Sequence, residues 1–181
     1  MKSRVETPQG MGVAVIGAGN LIMKDEGVGI HAIRALRDGA GPRGALYLEG
    51  GTSLWRVLPK AEDCHRLVVL DALCAEEDPG TVCCARIGDT KLEAGGSSLH
   101  RTSLRTALAQ AEMQGNRFED ITVVGMEPAE VSAGLQLSQV CARRLHKLLA
   151  VAGRIIRERA APAGETERSV KHAGNRTEAG R

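Results

Sequence analysis

The stretch GVAVIGAGNLIMKDEGVGIHAIRAL, residues 12–36, decides the fold class. Its first part, GVAVIGAG (12–19), is a short apolar run ending in glycines, the pattern of a strand buried on both faces of a parallel sheet. Beyond the loop, Val28, Ala32, Ala35 and Leu36, with Ile30 and Ile33 beside them, recur at helical spacing, while Arg34, Arg37 and Asp38 point elsewhere. Strand, glycine loop and helix make one βα unit. Outward along the chain the pattern repeats. ALYLEGG (45–51), RLVVLDAL (66–73), TVCCARI (81–87) and DITVVGMEP (120–128) read as further strands. Thr52 is placed to cap a short helix through Trp55 and Leu58 that stops at Pro59. Leu104, Leu108 and Ala111 mark a second long helix. Ser138 is a good N-cap for a last one, with Cys141, Leu145, Leu148, Leu149, Ala152, Ile155 and Ile156 on one side. Strands alternating with helices predict an open α/β sheet covered on both faces, with right-handed crossovers. The turn EEDPGT between the third and fourth strands is too short for a helical crossover, so one antiparallel edge pairing is expected there.

The chain has 181 residues, the size of one domain, and one each of Phe, Tyr and Trp, so its core must be aliphatic. Residues 1–158 are expected to form one domain, and 159–181, polar and aperiodic, a disordered tail. The net charge of +2 belongs to the tail, since residues 151–181 hold seven Lys and Arg against four Asp and Glu. The body therefore lacks the basic footprint of a nucleic-acid binder. Cys64, Cys74, Cys83, Cys84 and Cys141 form no CxxC pair and read as buried reduced thiols. MKSRVETPQGMG lacks the apolar stretch of a signal peptide, and no run approaches the roughly 18 apolar residues of a membrane span. A cytoplasmic protein is expected.

In such sheets the working site lies beyond the carboxyl ends of the strands. There the sequence offers acids, amides and few bases. A dinucleotide loop needs GxGxxG, but Ile22 stands where the third glycine belongs, and Asp25 and Glu26 occupy the place of a pyrophosphate. Glu49, at the end of the second strand, keeps a Rossmann-type nucleotide-binding enzyme open as an alternative. Walker A, GxSxG and HExxH patterns are absent. Asp25 and Glu26 have an ordinary explanation as acids at a helix N-terminus, Asp71 as a strand-end acid bonded to backbone, and His100 as a capping residue. Taken together, two carboxylates and an imidazole at the loop edge of one sheet form a ligand set for a divalent transition metal with open positions.

These residues carry a resemblance. GAGNLIMKDEGVG resembles the GxGNxxxxDEGxG signature of the endopeptidases that mature nickel-iron hydrogenases. LEGGTSLW, LVVLDAL with DPGT, SSLHRTSL and VVGMEPAEVSAGLQLS agree in order, over residues 12–150. Two departures are Lys24, a positive charge beside the acidic pair, and Gln139, where Pro is common after LS. The resemblance implies a three-layer α/β/α sandwich with a twisted, mostly parallel five-stranded sheet. It further implies an endopeptidase that clips the C-terminal extension from the hydrogenase large-subunit precursor once nickel is inserted, with nickel carried by the substrate as recognition element. Glu26, Asp71 and His100 are the implied metal ligands. Asp25 remains a general-base candidate or a residue that holds the loop, and His31, off the Glu26 face of the first helix, is expected to matter little. The protein is expected to act as a monomer. A non-catalytic chaperone for the same subunit is the further alternative.

Overall fold

The computed structural model describes residues 12–87 and 99–160, with side chains from 104 onward in the second segment. Five strands, β1 (Val13–Ala18), β2 (Ala45–Gly51), β3 (Arg66–Ala72), β4 (Val82–Arg86) and β5 (Asp120–Met126), form one sheet in the order β2-β1-β3-β5-β4. The pairings β1–β2, β1–β3 and β3–β5 are parallel, and β4 runs antiparallel to β5. The antiparallel edge strand is thus as expected, but its partner differs. β5 lies between β3 and β4, so the short turn after β3 spans one strand position rather than closing a hairpin.

Strand side chains alternate between two cores. Val13 and Val15 of β1, Val68 and Leu70 of β3, and Val124 and Met126 of β5 face α1 (Val28–Ala35) and α3 (Gln139–Ala160), meeting Ala32, Ile33, Leu148, Ala152 and Ile156. Ala14, Ile16, Leu67, Val69 and Val123 face the other way. There they meet Leu104, Ala107 and Ala111 of α2 (Leu99–Met113) and the short turns carrying Leu54 and Leu58. Two apolar faces per strand explain why β1 is buried at every position. The layers are helix, sheet, helix.

α1 approaches the sheet closely because Gly29 has no side chain. A Cβ there would sit 2.2 Å from the Leu70 carbonyl oxygen and 2.3 Å from that of Ala18. This brings the start of α1 down onto the carboxyl ends of β1 and β3. The helix passes into a wide turn, Leu36–Ala40, where Gly39 takes φ 127° and ends it. Ser138 caps α3 through its Oγ, which accepts the Cys141 N–H at 3.3 Å. Gln139 is the first helical residue, a position that Pro also suits.

Several expectations shift in detail. Thr52 caps nothing: the segment forms two 3-10 turns, Leu54–Arg56 and Leu58–Ala61, the first opening at Ser53, and Pro59 lies inside the second, whose early amides need no partner. α3 runs two residues past the expected boundary at 158. Residues 1–11 and the tail from 161 lie outside the described residues. All five thiols are free, but only Cys64 and Cys141 are buried, Cys74 and Cys84 being exposed near the sheet edge. Burial, with Asp63 adding to it, pushes the Cys64 thiol up to about 11. No helix among the described residues is long and apolar enough to cross a membrane.

Candidate functional site at the carboxyl edge of the sheet

The glycine loop after β1 closes into a 3-10 turn, Lys24–Gly27. Gly19 allows this: at φ 123° its missing Cβ would fall 2.0 Å from the Glu26 carbonyl oxygen. Asn20 organises the rest. Its N–H donates to the Glu26 carbonyl at 3.2 Å, its carbonyl accepts from Met23 at 3.1 Å, and its Oδ1 accepts from Ile22 at 3.3 Å. Backbone oxygens and an amide thus fill the inside of a loop that resembles a phosphate cradle in glycine content alone.

Asp25 is fully buried. Its Oδ2 accepts the N–H groups of Ala129 at 3.0 Å and Glu130 at 2.9 Å, and its Oδ1 accepts the Ser138 N–H at 2.7 Å. Burial alone would raise its pKa, but the Ser138 hydroxyl and N–H, the Glu130 N–H and the Cys141 thiol together hold the carboxyl below its ordinary range. The two segments are also joined through backbone. Lys24 N–H donates to Gly134 O at 2.9 Å, Asp25 N–H to Glu130 O at 3.2 Å, and Gly134 N–H to Ile22 O at 2.9 Å. Lys24, at φ 47°, turns its ammonium onto Glu130, which Ser132 also contacts. The positive charge beside the acidic pair is therefore engaged by Glu130.

Glu26 rides on this turn, which packs against β3. Asp71 is the penultimate residue of β3, 6% exposed, with its Oδ1 accepting the N–H of Ala72 at 2.8 Å. Glu26 and Asp71 thus belong to adjoining elements at one edge of the sheet. His100 falls in the first turn of α2, and its side chain lies outside the described residues. Among the described residues no three His, Cys, Asp or Glu side chains cluster as a metal site.

Glu49 has another occupation than a ribose. Its two oxygens receive Arg34 Nε at 2.9 Å and Nη2 at 2.6 Å, and this pairing outweighs burial in lowering its pKa. His31 lies half-buried in α1, beside the Leu135 backbone. Burial first, then Arg34, lowers its pKa against a bond with the Leu135 backbone, and its Nε2 is buried without a hydrogen-bond partner. Sequence reading missed Glu127, a buried acid directly after β5, although an acid bounding an apolar strand in GMEP was the available signal. It also missed that the backbone of 129–138 receives Asp25, for which a single sequence holds no local signal.

Comparison with known proteins agrees with this architecture. The HycI model, described as hydrogenase maturation protease, matches residues 30–155. The hydrogenase expression/formation protein HupD of Rhodobacter capsulatus is 32% identical over 122 residues, 66% of this chain and 58% of the relative, so the chain spans less than two thirds of that protein's length. HoxM of Azotobacter vinelandii, another hydrogenase expression/formation protein, is 30% identical over 179 residues, covering 93% of this chain and 86% of its own. The NiFe hydrogenase maturation protease HybD from Thermococcus kodakarensis superposes with a TM-score of 0.66 at 28% identity, over 80% of this chain and 98% of its own. With most of its sheet and helices inside the matched span, this chain belongs to the hydrogenase maturation protease family.

Proposed function

We propose that the protein is an endopeptidase that removes the C-terminal extension of the nickel-iron hydrogenase large-subunit precursor after nickel insertion, in the cytoplasm. The nickel borne by that substrate is the recognition element. The observation that carries this reading is the placement of Glu26 and Asp71 on adjoining elements at the carboxyl edge, in a chain of this family. Two carboxylates, joined by the His100 imidazole, suit a Ni²⁺ whose remaining positions belong to the substrate. An ion presented beside the scissile peptide supplies Lewis acidity there. Asp25 we assign to holding the turn rather than to proton transfer, because its two oxygens already accept three N–H groups. Acting as a monomer leaves the whole carboxyl edge open to a large folded partner.

The test is incubation with nickel-loaded and nickel-free precursor, followed by intact-mass measurement. The expected result is loss of the extension from the loaded form alone. Binding without a mass change would favour the chaperone reading, and equal cleavage of the empty form would remove nickel as the recognition element.

A further inference from the structure

Glu127 is a buried acid with no part in the proposed ligand set, one residue beyond β5, the strand that pairs with the Asp71 strand. Its Oε2 accepts the N–H of Ala75 at 2.6 Å and, more weakly, that of Glu77 at 3.5 Å. Its own N–H donates to Thr81 O at 2.8 Å, and its carbonyl accepts the Gly80 N–H at 2.7 Å. A single residue thus grips the loop that leaves Asp71 at both ends, by side chain at 75–77 and by main chain at 80–81. Glu76, between the two clamped amides, stands at φ 60°. A left-handed residue with a side chain is strained, and such conformations persist where surrounding bonds over-determine them. The Asp71 carboxylate is tied to the same stretch of chain, since its Oδ1 takes the Ala72 N–H. The course of the backbone from Ala72 to Glu77 therefore sets where that carboxylate points.

We infer that Glu127 is a positioning residue for Asp71: by holding the loop at Ala75 and Glu77 it fixes the direction in which the Asp71 carboxylate meets substrate. The inference rests on the proposed function for the role of Asp71. It also gives the 127–138 segment a double duty, because Asp25 grips the same segment at 129, 130 and 138. Acid-to-amide clamps at both ends link the turn bearing Glu26 to the loop that follows Asp71.

The experiment separates reach from charge, using the full chain. E127Q keeps a carbonyl acceptor at the same reach and loses the charge. E127D keeps the charge and draws the acceptor back by one methylene. Three quantities are read: kcat on nickel-loaded precursor, amide exchange at Ala75 and Glu77, and calorimetric titration with Ni²⁺ alone. A positioning role predicts that E127D loses protection at Ala75 and Glu77 and about tenfold in kcat, the scale of outer-shell ligand changes, while E127Q stays within about threefold of wild type. The reverse order would make the charge itself the agent and overturn the inference, as would wild-type kcat and protection in E127D. If wild-type protein leaves the loaded precursor uncut, it is the proposed function that fails. Amide exchange and nickel titration still decide the role of Glu127: unchanged affinity and protection in E127D would refute it.

Discussion

Replacing Asp25 by Asn tests the clamp beside Glu26 more sharply than an alanine would. Asn is nearly isosteric, but it brings one acceptor and one donor to a place where all three backbone partners are donors. In its best orientation the amide oxygen takes the Oδ2 place and keeps Ala129 and Glu130. The NH₂ then faces the Ser138 N–H, where Asp25 now accepts at 2.7 Å. Two charge-assisted bonds become neutral ones and one buried donor is left opposed, which amounts to a loss of about 3 kcal/mol. The negative charge at the start of α3 adds about 0.3–1 kcal/mol to what is lost.

The assay is urea unfolding of wild type and D25N. With m of about 2 kcal/mol/M, the midpoint should fall by about 1.7–2 M. The pH dependence gives an independent check. Because the folded-state pKa of Asp25 lies below its ordinary 3.8, the stabilisation is present above that value and is lost as pH falls through the folded-state pKa. The gap between wild type and D25N should therefore be full at pH 7 and narrow in acid below about pH 4. A D25N protein within about 0.5 kcal/mol of wild type at neutral pH, or a gap that widens in acid, would refute the reasoning.

Other outcomes follow from the same geometry. E26Q and D71N should retain wild-type far-UV circular dichroism yet leave nickel-loaded precursor uncut by mass, and wild-type processing in either would remove it from the proposed ligand set. Gly29→Ala should destabilise the fold by about 1–3 kcal/mol in thermal melts, since its Cβ would meet the Leu70 and Ala18 carbonyl oxygens at 2.2 and 2.3 Å; an unchanged melting temperature would contradict that contact. His31, whose folded-state pKa lies below 6.5, should contribute stability that is full above that value and declines as pH falls through it. His31→Leu should accordingly show a flatter stability profile between about pH 8 and pH 5, and parallel profiles would count against the burial argument.

The parts of the fold legible in the sequence are those encoded locally. All five strands were visible as short apolar runs, and buriedness on both faces made β1 and β3 unmistakable. What the sequence could not say was where the fourth strand pairs. β3, the turn and β4 read alike whether they close a hairpin or reach past β5, because the choice rests on parallel pairing of β3 with β5 across an intervening helix. Thr52 failed as a cap for a related reason. Its cap chemistry is genuine, but packing of Leu54 and Leu58 into the core tightened the segment into 3-10 turns that start one residue later.

At the site the same division has a physical cause. The placement of Glu26 and Asp71 at the carboxyl edge was legible because one follows β1 in the loop to α1 and the other stands near the end of β3. The clamps were not legible because an Asp or Glu bonded to distant amides leaves no pattern at either end. The backbone amides of Ala129, Glu130 and Ala75 belong to residues whose side chains take no part in the bond. Any residue except Pro supplies an N–H, so the partners are invisible even when the acid is noticed. This makes positions such as Ala129, which contribute only an N–H to the clamp, sensitive to changes that alter backbone course and tolerant of changes in side chain. Ala129→Pro, which deletes a clamped N–H, should therefore lower stability as D25N does, whereas Ala129→Ser keeps the N–H and should behave as wild type. Equal behaviour of the two variants would mean that the segment acts through its side chains, and that the backbone account of the clamp is wrong.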